Sequence, residues 1–600
     1  MASAAAPDAA VERPEARFFR EQEAASAPPA ATDWQSALAA AHARELAFDP
    51  KGARAALDAF ASEVPAGPFA RVAELLRLRV AVREAKPEGL EDAVRGVRAL
   101  LAALPAEERA TYARAQQLLA TAYIRLGRLE PAEEAIGEAL VTIDGEVALV
   151  RSADTLGQVL IGQGAWVEAK RTLTALVARR RAMNDPIGVA ISAGHLVRLD
   201  VQLGAAAEGA ALAEEVLAVL DRAADVPLLT RLRMQTLLAT ALVEIVPVDP
   251  RLAPAAAKLE ELARGVTEDT HYLRGYAGLT LARAFAALGD RERARAWLDS
   301  DSTRQFTLPV HVSLLRFHEA KIDPSVLDQP DWLAEQQKLW AQVDFVSEAE
   351  IESRILHARA AKDPDDRRER LERAYARAME SNNAVWMRLV DEAAAELEPA
   401  LRSERLALRY SGRRLAELAR TTRADATIIF ADLVGFTPRS LLLTPEEVMD
   451  TVRGLFELGV PLLAKHKVQP LTYMGDGLLA IAQGDEHEKR GLAFARELVA
   501  RCNRITRVRH ALDSGLPLEL RAGVASGTVV LGSLGSLFKT EFAAIGATTN
   551  LAARLQAQAD PGQVICARRT AWAAGADDAA DASFDLKGLG AVDASRIVVP

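Results

Sequence analysis

Two aspartates that each follow or interrupt an apolar run are the residues best suited to chemistry in this chain. Asp432 ends the run ATIIFAD, and Asp476 lies between the apolar runs of TYMGDGLLAIA. The interval between them is long enough for a helix and a return strand, a crossover that would place both carboxylates at one end of a sheet. Paired carboxylates there suit Mg²⁺ or Mn²⁺, which seek oxygen ligands and are shared with phosphates. Aspartate is also common in turns, so either residue alone would be an ordinary turn residue.

The pattern around these aspartates predicts strands mixed with helices. Composition changes near Ala424, and Met-Gly-Asp-Gly is typical of a hairpin. The predicted elements, in order, are a strand ATIIFAD, a helix over 445–465, the hairpin VQPLTYMGDGLLAIA, a helix over about 486–512, a strand–turn–strand LELRAGVASGTVVLG, a helix TTNLAARLQAQA, and strands at VIC, FDL and RIVV. This order indicates an α+β domain.

Composition excludes several other classes of protein. Half of the 600 residues are apolar and 5% are aromatic, so Ala and Leu do most of the burying, which favours packed helices. A net charge of −10 argues against a general phosphate-backbone binder, and we expect no nucleic-acid partner. Two cysteines cannot form a disulfide framework or a four-cysteine zinc site. Without a membrane-spanning run or a secretory signal, we expect a soluble, cytoplasmic chain.

The first two thirds of the chain have a helical period. Residues 1–33 are rich in Ala, Pro and acidic residues and are predicted to be a disordered tail. Residues 34–400 are predicted to be helical, with apolar positions recurring at three and four. Glycines follow apolar helical stretches at Gly127, Gly164, Gly204 and Gly289, and the last interval is about twice the others. The segment LATAYIRLGRLEPAEEAIGEAL around Gly127 resembles the tetratricopeptide repeat (TPR).

A TPR-like array predicts a protein-binding surface. Stacked helical hairpins present an extended concave face, so a protein or peptide partner is expected, although the sequence does not identify it. Another kind of α-helical array remains the alternative. Residues 401–422 are predicted to be a linker helix within an Arg-rich amphipathic stretch. That helix would either set how two protomers meet or be a solvated connection with no signalling role.

Four segments of the last third occur in a characteristic order. They are FADLVGFT, MGDGLLA, RAGVASGTVVLGSLGS and AAIGATTNLAARLQ. In this order and at these intervals they resemble the class III nucleotidyl cyclase catalytic domain over residues 423–600. The resemblance implies a ferredoxin-like α/β sandwich. The whole chain is thus expected to be an α+β multidomain protein, with an N-terminal all-α array and a C-terminal cyclase domain.

The resemblance also implies an activity. Family members convert a nucleoside triphosphate into its 3′,5′-cyclic monophosphate and pyrophosphate, with two Mg²⁺ or Mn²⁺ ions in each site. Asp432 and Asp476 match the metal ligands of the family, with the backbone carbonyl of Leu433 as a further ligand. Asn550 and Arg554 match the transition-state pair, which the other protomer supplies. A homodimer through the cyclase domain is therefore expected.

Base recognition is where the sequence departs from the family. The two base-selecting positions hold Thr472 and Ala543, whereas adenylyl cyclases carry Lys at the first, and guanylyl cyclases typically use Glu and Cys. Lys587 matches a Lys-Gly turn and is a candidate triphosphate ligand. The expected function is a cyclase, adenylate rather than guanylate, regulated by the helical array. The alternative is a catalytically weak cyclase-like module that binds nucleotide or dimerises as a regulatory unit. A third hypothesis is a plain scaffold that binds no nucleotide.

Overall fold

A computed structural model describes most of the chain, in two compact units. The described residues are 13–23, 31–46, 50–84, 87–143, 145–223, 226–266, 271–329, 331–343, 345–381, 383–402, 421–436, 440–441, 443–513, 519–536 and 539–599. One unit comprises residues 1–162 and 176–353, and the other comprises residues 163–175 and 354–600. Of the predicted linker helix over 401–422, residues 403–420 lie outside the described residues.

Up to residue 402 the regular structure of the described residues is helical. The helices are α1 Pro14–Glu23, α2 Trp34–Leu46, α3 Pro50–Ala59, α4 Pro68–Glu84, α5 Pro87–Ala103, α6 Arg109–Arg125, α7 Leu129–Thr142, α8 Glu146–Gly162, α9 Trp166–Ala182, α10 Pro186–Gln202, α11 Ala206–Arg222, α12 Leu228–Val243, α13 Leu252–Arg264, α14 His271–Ala287, α15 Arg291–Leu298, α16 Asp301–Arg304, α17 Pro309–Ile322, α18 Trp332–Trp340, α19 Glu348–Ala360, α20 Pro364–Glu380 and α21 Ala384–Leu397, with a 3₁₀ segment Pro324–Asp328. The prediction of a helical N-terminal array is therefore confirmed.

Turns between consecutive helices explain the glycines of the repeat. Gly127, Gly164, Gly204 and Gly289 follow α6, α8, α10 and α14, and their φ angles are 73°, 74°, 76° and 83°. Glycine adopts this left-handed conformation without the cost that a Cβ imposes. The interval from Gly204 to Gly289 is about twice the others because it contains one more helix pair, α12 and α13. The connection between these two helices contains no glycine. The repeat is therefore a series of helical pairs, and its assignment as TPR stays a prediction.

The prediction of a disordered tail over residues 1–33 is wrong for α1. Phe19 of that helix is 1% exposed, and the Arg114 guanidinium lies 4.1 Å from the centre of its ring. The prediction rested on the average composition of residues 1–33, which is dominated by Ala, Pro and acidic residues. Helix α1 nevertheless contains two adjacent apolar residues, Phe18 and Phe19. Burial of two aromatic side chains stabilises α1 against the helices that follow.

The C-terminal unit is built on one mixed sheet. Its strands are β1 Thr422–Leu433, β2 Val468–Met474, β3 Gly477–Gln483, β4 Leu520–Ser536, β5 Lys539–Ile545, β6 Gln563–Ala567, β7 Ala580–Leu586 and β8 Gly590–Val598, and its further helices are α22 Pro445–Lys465, α23 His487–Asp513, α24 Ala547–Gln558 and α25 Arg568–Ala574. The strand order is β2-β3-β1-β4-β6-β8-β7, with β5 paired to β4. The run β1-α22-β2-β3-α23-β4 and its order β4-β1-β3-β2 define the predicted ferredoxin-like fold.

Alternation along β1 assigns each residue to one face of the sheet. Ile429 and Leu433 belong to the apolar core that includes α22 and α23 residues. Ile428 belongs to the core that includes Ala552 and Leu555 of α24. Because side chains alternate along a strand, Asp432 lies on the α24 face.

The prediction of a strand–turn–strand in LELRAGVASGTVVLG is wrong. Residues 520–532 of that segment lie in one strand, β4, which pairs with β1 from Leu520 to Leu531 without interruption. Gly523 and Gly527, which favoured a turn in the sequence, lie under α24. A Cβ at position 523 would lie 2.2 Å from the backbone nitrogen of Gln556. The glycines therefore let a helix approach the strand.

A short upstream segment belongs to the same compact unit as the sheet. Within Gln163–Ala175, the Glu168 carboxylate accepts hydrogen bonds of 3.0 and 2.7 Å from Arg509 of α23, and both side chains are less than a tenth exposed. The Val167 N–H donates to Glu457 of α22 over 2.7 Å. A buried pair of this kind leaves an uncompensated charge when one partner is removed.

Two expectations drawn from composition also concern the fold. Cys502 and Cys566 are free and buried, so they form no disulfide. Of the helices in the described ranges, none combines the length and the apolar character needed to cross a bilayer.

Candidate active site

The strand register places the two aspartates of the sequence pattern side by side. Asp432 is the penultimate residue of β1 and pairs with Gly477, the first residue of β3. Asp476 directly precedes Gly477, in a turn where Gly475 has a φ of 62°. A Cβ at position 477 would lie 3.3 Å from Asp432 Oδ1. The prediction that both acids reach one end of the sheet is therefore confirmed.

The surroundings of Asp432 make its negative charge costly. Burial raises the pKa of its carboxyl, and the nearby Asp476 carboxylate raises it further. Arg521, the Gln556 amide and the Leu433 N–H act in the opposite direction, but the net pKa stays above the usual value. Like charges held together in this way favour the binding of a cation.

The two carboxylates are the side chains of this pair that could bind a metal ion. In the described part of the chain, no group of three or more His, Cys, Asp or Glu residues could hold a metal ion. The candidate side-chain ligands are two carboxylates, and oxygen ligands suit Mg²⁺ or Mn²⁺ better than a softer ion. Leu433 ends β1, where it pairs with Leu520. Its role as a carbonyl ligand stays a prediction.

Helix α24 presents Asn550 and Arg554 to solvent. Both side chains are exposed, four residues apart, so they share one face of the helix. Neither forms a hydrogen bond or ion pair with another described residue. Gln556 is more than half a turn from Arg554 and points to the sheet, so Arg554 faces away from Asp432. The pair is therefore available to a group outside its own protomer.

The sheet distributes the remaining predicted site residues over three places. Thr472 lies in β2 just after a β-bulge, because the register shifts between Pro470 and Thr472. Ala543 lies in β5 and pairs with Gly532. Lys587 is exposed in the turn between β7 and β8. Strands β4, β6 and β8 separate β1 from β7, so within one chain the structure does not bring Lys587 to Asp432.

Two neighbours of Asp432 were not predicted as site residues. Gln556 Nε2 donates to Asp432 Oδ2 over 3.2 Å, and Arg521 Nη2 lies 3.8 Å from the same oxygen. Arg521 pairs with Asp432 in the β1–β4 register. An alignment of the two strands in the sequence would have revealed Arg521, whereas the position of Gln556 depends on how α24 packs.

The part of the chain that contains the candidate site is similar to known proteins. Residues 419–592 match the family model of the adenylate and guanylate cyclase catalytic domain. Guanylate cyclase 2D of Rattus norvegicus is 30% identical over 154 residues, which are 25% of this chain and 14% of that protein. Adenylate cyclase 1 of Rhizobium meliloti is 30% identical over 139 residues, which are 22% of this chain and 21% of that protein.

Among solved structures, the guanylyl cyclase Cya2 is 28% identical. The match covers 30% of this chain and 94% of Cya2, with a TM-score of 0.28. The match spans no more than about a fifth of the length of the two curated relatives, the rat guanylate cyclase and the Rhizobium adenylate cyclase. Residues 419–592 belong to the class III cyclase catalytic domain family. Relatives named for both adenylate and guanylate cyclases match, so the similarity does not select a base.

Proposed function

We propose that this chain is an adenylate cyclase, which converts ATP into 3′,5′-cyclic AMP and pyrophosphate in a homodimer and is regulated by its helical array. The pairing of Asp432 with Gly477, which brings Asp476 alongside, is the observation that carries the proposal. The reaction forms a bond from the ribose 3′-oxygen to the α-phosphorus and breaks the bond to the pyrophosphate oxygen. The hydroxyl proton passes to solvent water as that bond forms.

Each group of this chain has a defined part in the reaction. Asp432, Asp476 and the Leu433 carbonyl would hold two Mg²⁺ or Mn²⁺ ions. Such ions lower the pKa of a hydroxyl and neutralise a triphosphate. Asn550 orients the ribose by donating and accepting hydrogen bonds. The Arg554 guanidinium stabilises charge that develops on the phosphoryl oxygens.

A dimer completes the site because the two pairs of groups face apart within one chain. Asp432 lies on the sheet beneath α24, and Arg554 is exposed on the opposite side of that helix. A second protomer would supply Asn550 and Arg554 to the aspartates of the first. Lys587, exposed at the β7–β8 turn, is proposed to contact the triphosphate.

The choice of ATP depends on Thr472 and Ala543. The Glu and Cys that guanylyl cyclases typically use for guanine are absent from both positions. Thr472 offers one hydroxyl to a purine, and Ala543 offers no side-chain hydrogen bond. Each missing hydrogen bond costs about 0.5–1.5 kcal/mol, so the preference for ATP is expected to be modest.

Ala543 favours a second candidate function. A base pocket that lacks a polar side chain at this position binds nucleotide weakly. The second candidate is therefore a cyclase-like module that dimerises or binds nucleotide to regulate another protein, with little turnover. The two candidates differ in one property, which is product formation.

A product assay on the full-length chain separates them. The purified protein is incubated with Mn²⁺ and either ATP or GTP, and cyclic nucleotide is measured. We expect cyclic AMP to exceed cyclic GMP, Asp432→Ala to abolish product, and Asp425→Ala, an exposed aspartate of the same strand, to retain it. No product above Asp432→Ala with either nucleotide would exclude the cyclase and favour the regulatory module.

A further inference from the structure

Helix α24 is held against β4 at both of its ends. Near its N-terminus, Thr548 Oγ1 donates to the Thr528 carbonyl oxygen over 3.2 Å. Near its C-terminus, Arg521 Nη1 donates to the carbonyl oxygens of Ala559 and Ala557 over 3.1 and 3.4 Å. Those carbonyls belong to the helix end, which leaves acceptors without partners inside the helix. Arg521 therefore holds the last turn of α24 in place.

The same last turn contacts the metal-binding carboxylate. Gln556 Nε2 donates to Asp432 Oδ2, and the second guanidinium nitrogen of Arg521 lies 3.8 Å from that oxygen. Only 32% of the Asp432 side chain is exposed. If the contacts with Gln556 and Arg521 were lost, water would therefore not fully replace them. A carboxylate has about four acceptor sites, so one amide donor leaves room for a cation.

The geometry points to a positioning role for Gln556, supported by Arg521. We propose that Gln556 fixes the Asp432 carboxylate against α24, so that one contact holds both a metal ligand and the helix that carries Asn550 and Arg554. This inference rests on the proposed function, in which Asp432 serves one site of a dimer and α24 serves the other. Gln556 would thus connect the two sites.

Groups that orient a metal ligand affect metal affinity strongly. Loss of such a partner typically weakens metal binding by about 10–100-fold. Gln556→Met keeps the length of the side chain and removes the amide donor. Gln558→Met is the matched control, because Gln558 is exposed on the same helix two residues further on.

Mn²⁺ binding to the full-length chain gives a test that needs no turnover. Titration followed by electron paramagnetic resonance is expected to show 10–100-fold weaker Mn²⁺ binding for Gln556→Met and unchanged binding for Gln558→Met. Equal Mn²⁺ affinity of Gln556→Met and the unaltered chain would overturn the inference, even if the chain is an active cyclase. Tight Mn²⁺ binding without any cyclic product would instead refute the proposed function alone. An unaltered chain that does not bind Mn²⁺ would refute both.

Mixed dimers separate positioning from a general effect on folding. In a dimer of Asp432→Ala with Asn550→Ala, only the second protomer retains a metal-binding Asp432. Gln556→Met on that protomer is expected to raise the Mn²⁺ concentration for half-maximal rate at least tenfold. On the Asp432→Ala protomer it is expected to leave that concentration unchanged. Equal effects on both protomers would contradict a positioning role.

Discussion

Substitution of Gly523 tests the contact between α24 and the sheet most severely. A Cβ at this position would lie 2.2 Å from the Gln556 nitrogen and 2.3 Å from the Ala552 carbonyl oxygen. Both are backbone atoms, so no side chain can rotate away. An ordinary contact begins near 3.4 Å, so α24 must move by about 1.2 Å in Gly523→Ala. The helix would carry Asn550 and Arg554 with it.

Gly523→Ala is expected to lower both the stability of the chain and the rate of its reaction. Overpacking of this kind costs about 1–3 kcal/mol of unfolding free energy. A displacement of about 1 Å in a positioned group lowers a rate by about 100-fold. Urea unfolding and the kcat for cyclic nucleotide formation measure the two effects.

Gly459→Ala is the matched control for this substitution. Gly459 lies inside α22, and a Cβ there would meet only a leucine methyl group, Leu498 Cδ1, at 3.6 Å. Alanine is the better helix former by about 1 kcal/mol, so this variant is expected to be at least as stable as the unaltered chain and fully active. A Gly523→Ala chain with unaltered stability and rate would refute the packing of α24 described above.

Three further predictions concern stability. Burial raises the pKa of Glu457 from 4.5 to about 7, so between these pH values the folded state keeps a proton that the unfolded state loses. Stability should therefore fall by up to about 3 kcal/mol as pH rises from 4.5 to 7, and Glu457→Gln should remove that part of the slope in urea unfolding. Glu168→Ala leaves Arg509 buried without its carboxylate and should cost about 3–5 kcal/mol by the same method. Gly289→Ala meets open space and should cost about 1 kcal/mol of backbone strain, whereas Gly127→Ala also meets a valine methyl group at 2.4 Å and should lower the melting temperature further.

Each of these has a clear contrary result. An unchanged pH slope in Glu457→Gln would contradict the burial of a protonated carboxyl. A cost below about 1 kcal/mol for Glu168→Ala, as expected for the more exposed pair Arg496 and Asp578, would contradict the buried ion pair. Equal melting temperatures of the two glycine variants would contradict the close contact at Gly127.

Local patterns predicted most elements of the cyclase domain. The helix over 445–465 and the hairpin around Asp476 follow from capping, apolar period and turn residues, which act over a few positions. The turn glycines of the helical array were predictable for the same reason. Asp432 and Asp476 could be paired from the sequence because each lies at the end of a predicted strand.

The remaining features depend on contacts between distant parts of the chain. Gly523 and Gly527 favour a turn in isolation, and only the approach of α24 shows that they lie within a strand. Phe19 becomes buried through Arg114, which lies many residues away. Gln556 was missed because its neighbour Asp432 is separated from it by most of the domain.

Complementation between inactive protomers tests the central claim most directly. Asp432→Ala and Asn550→Ala chains, each inactive alone, are mixed, and verified heterodimers are assayed for cyclic nucleotide. One of the two composite sites then contains Asp432 and Asp476 from one protomer with Asn550 and Arg554 from the other. We predict that activity returns to about half of that of the unaltered dimer. No recovery in verified heterodimers would contradict a cyclase site shared between two protomers.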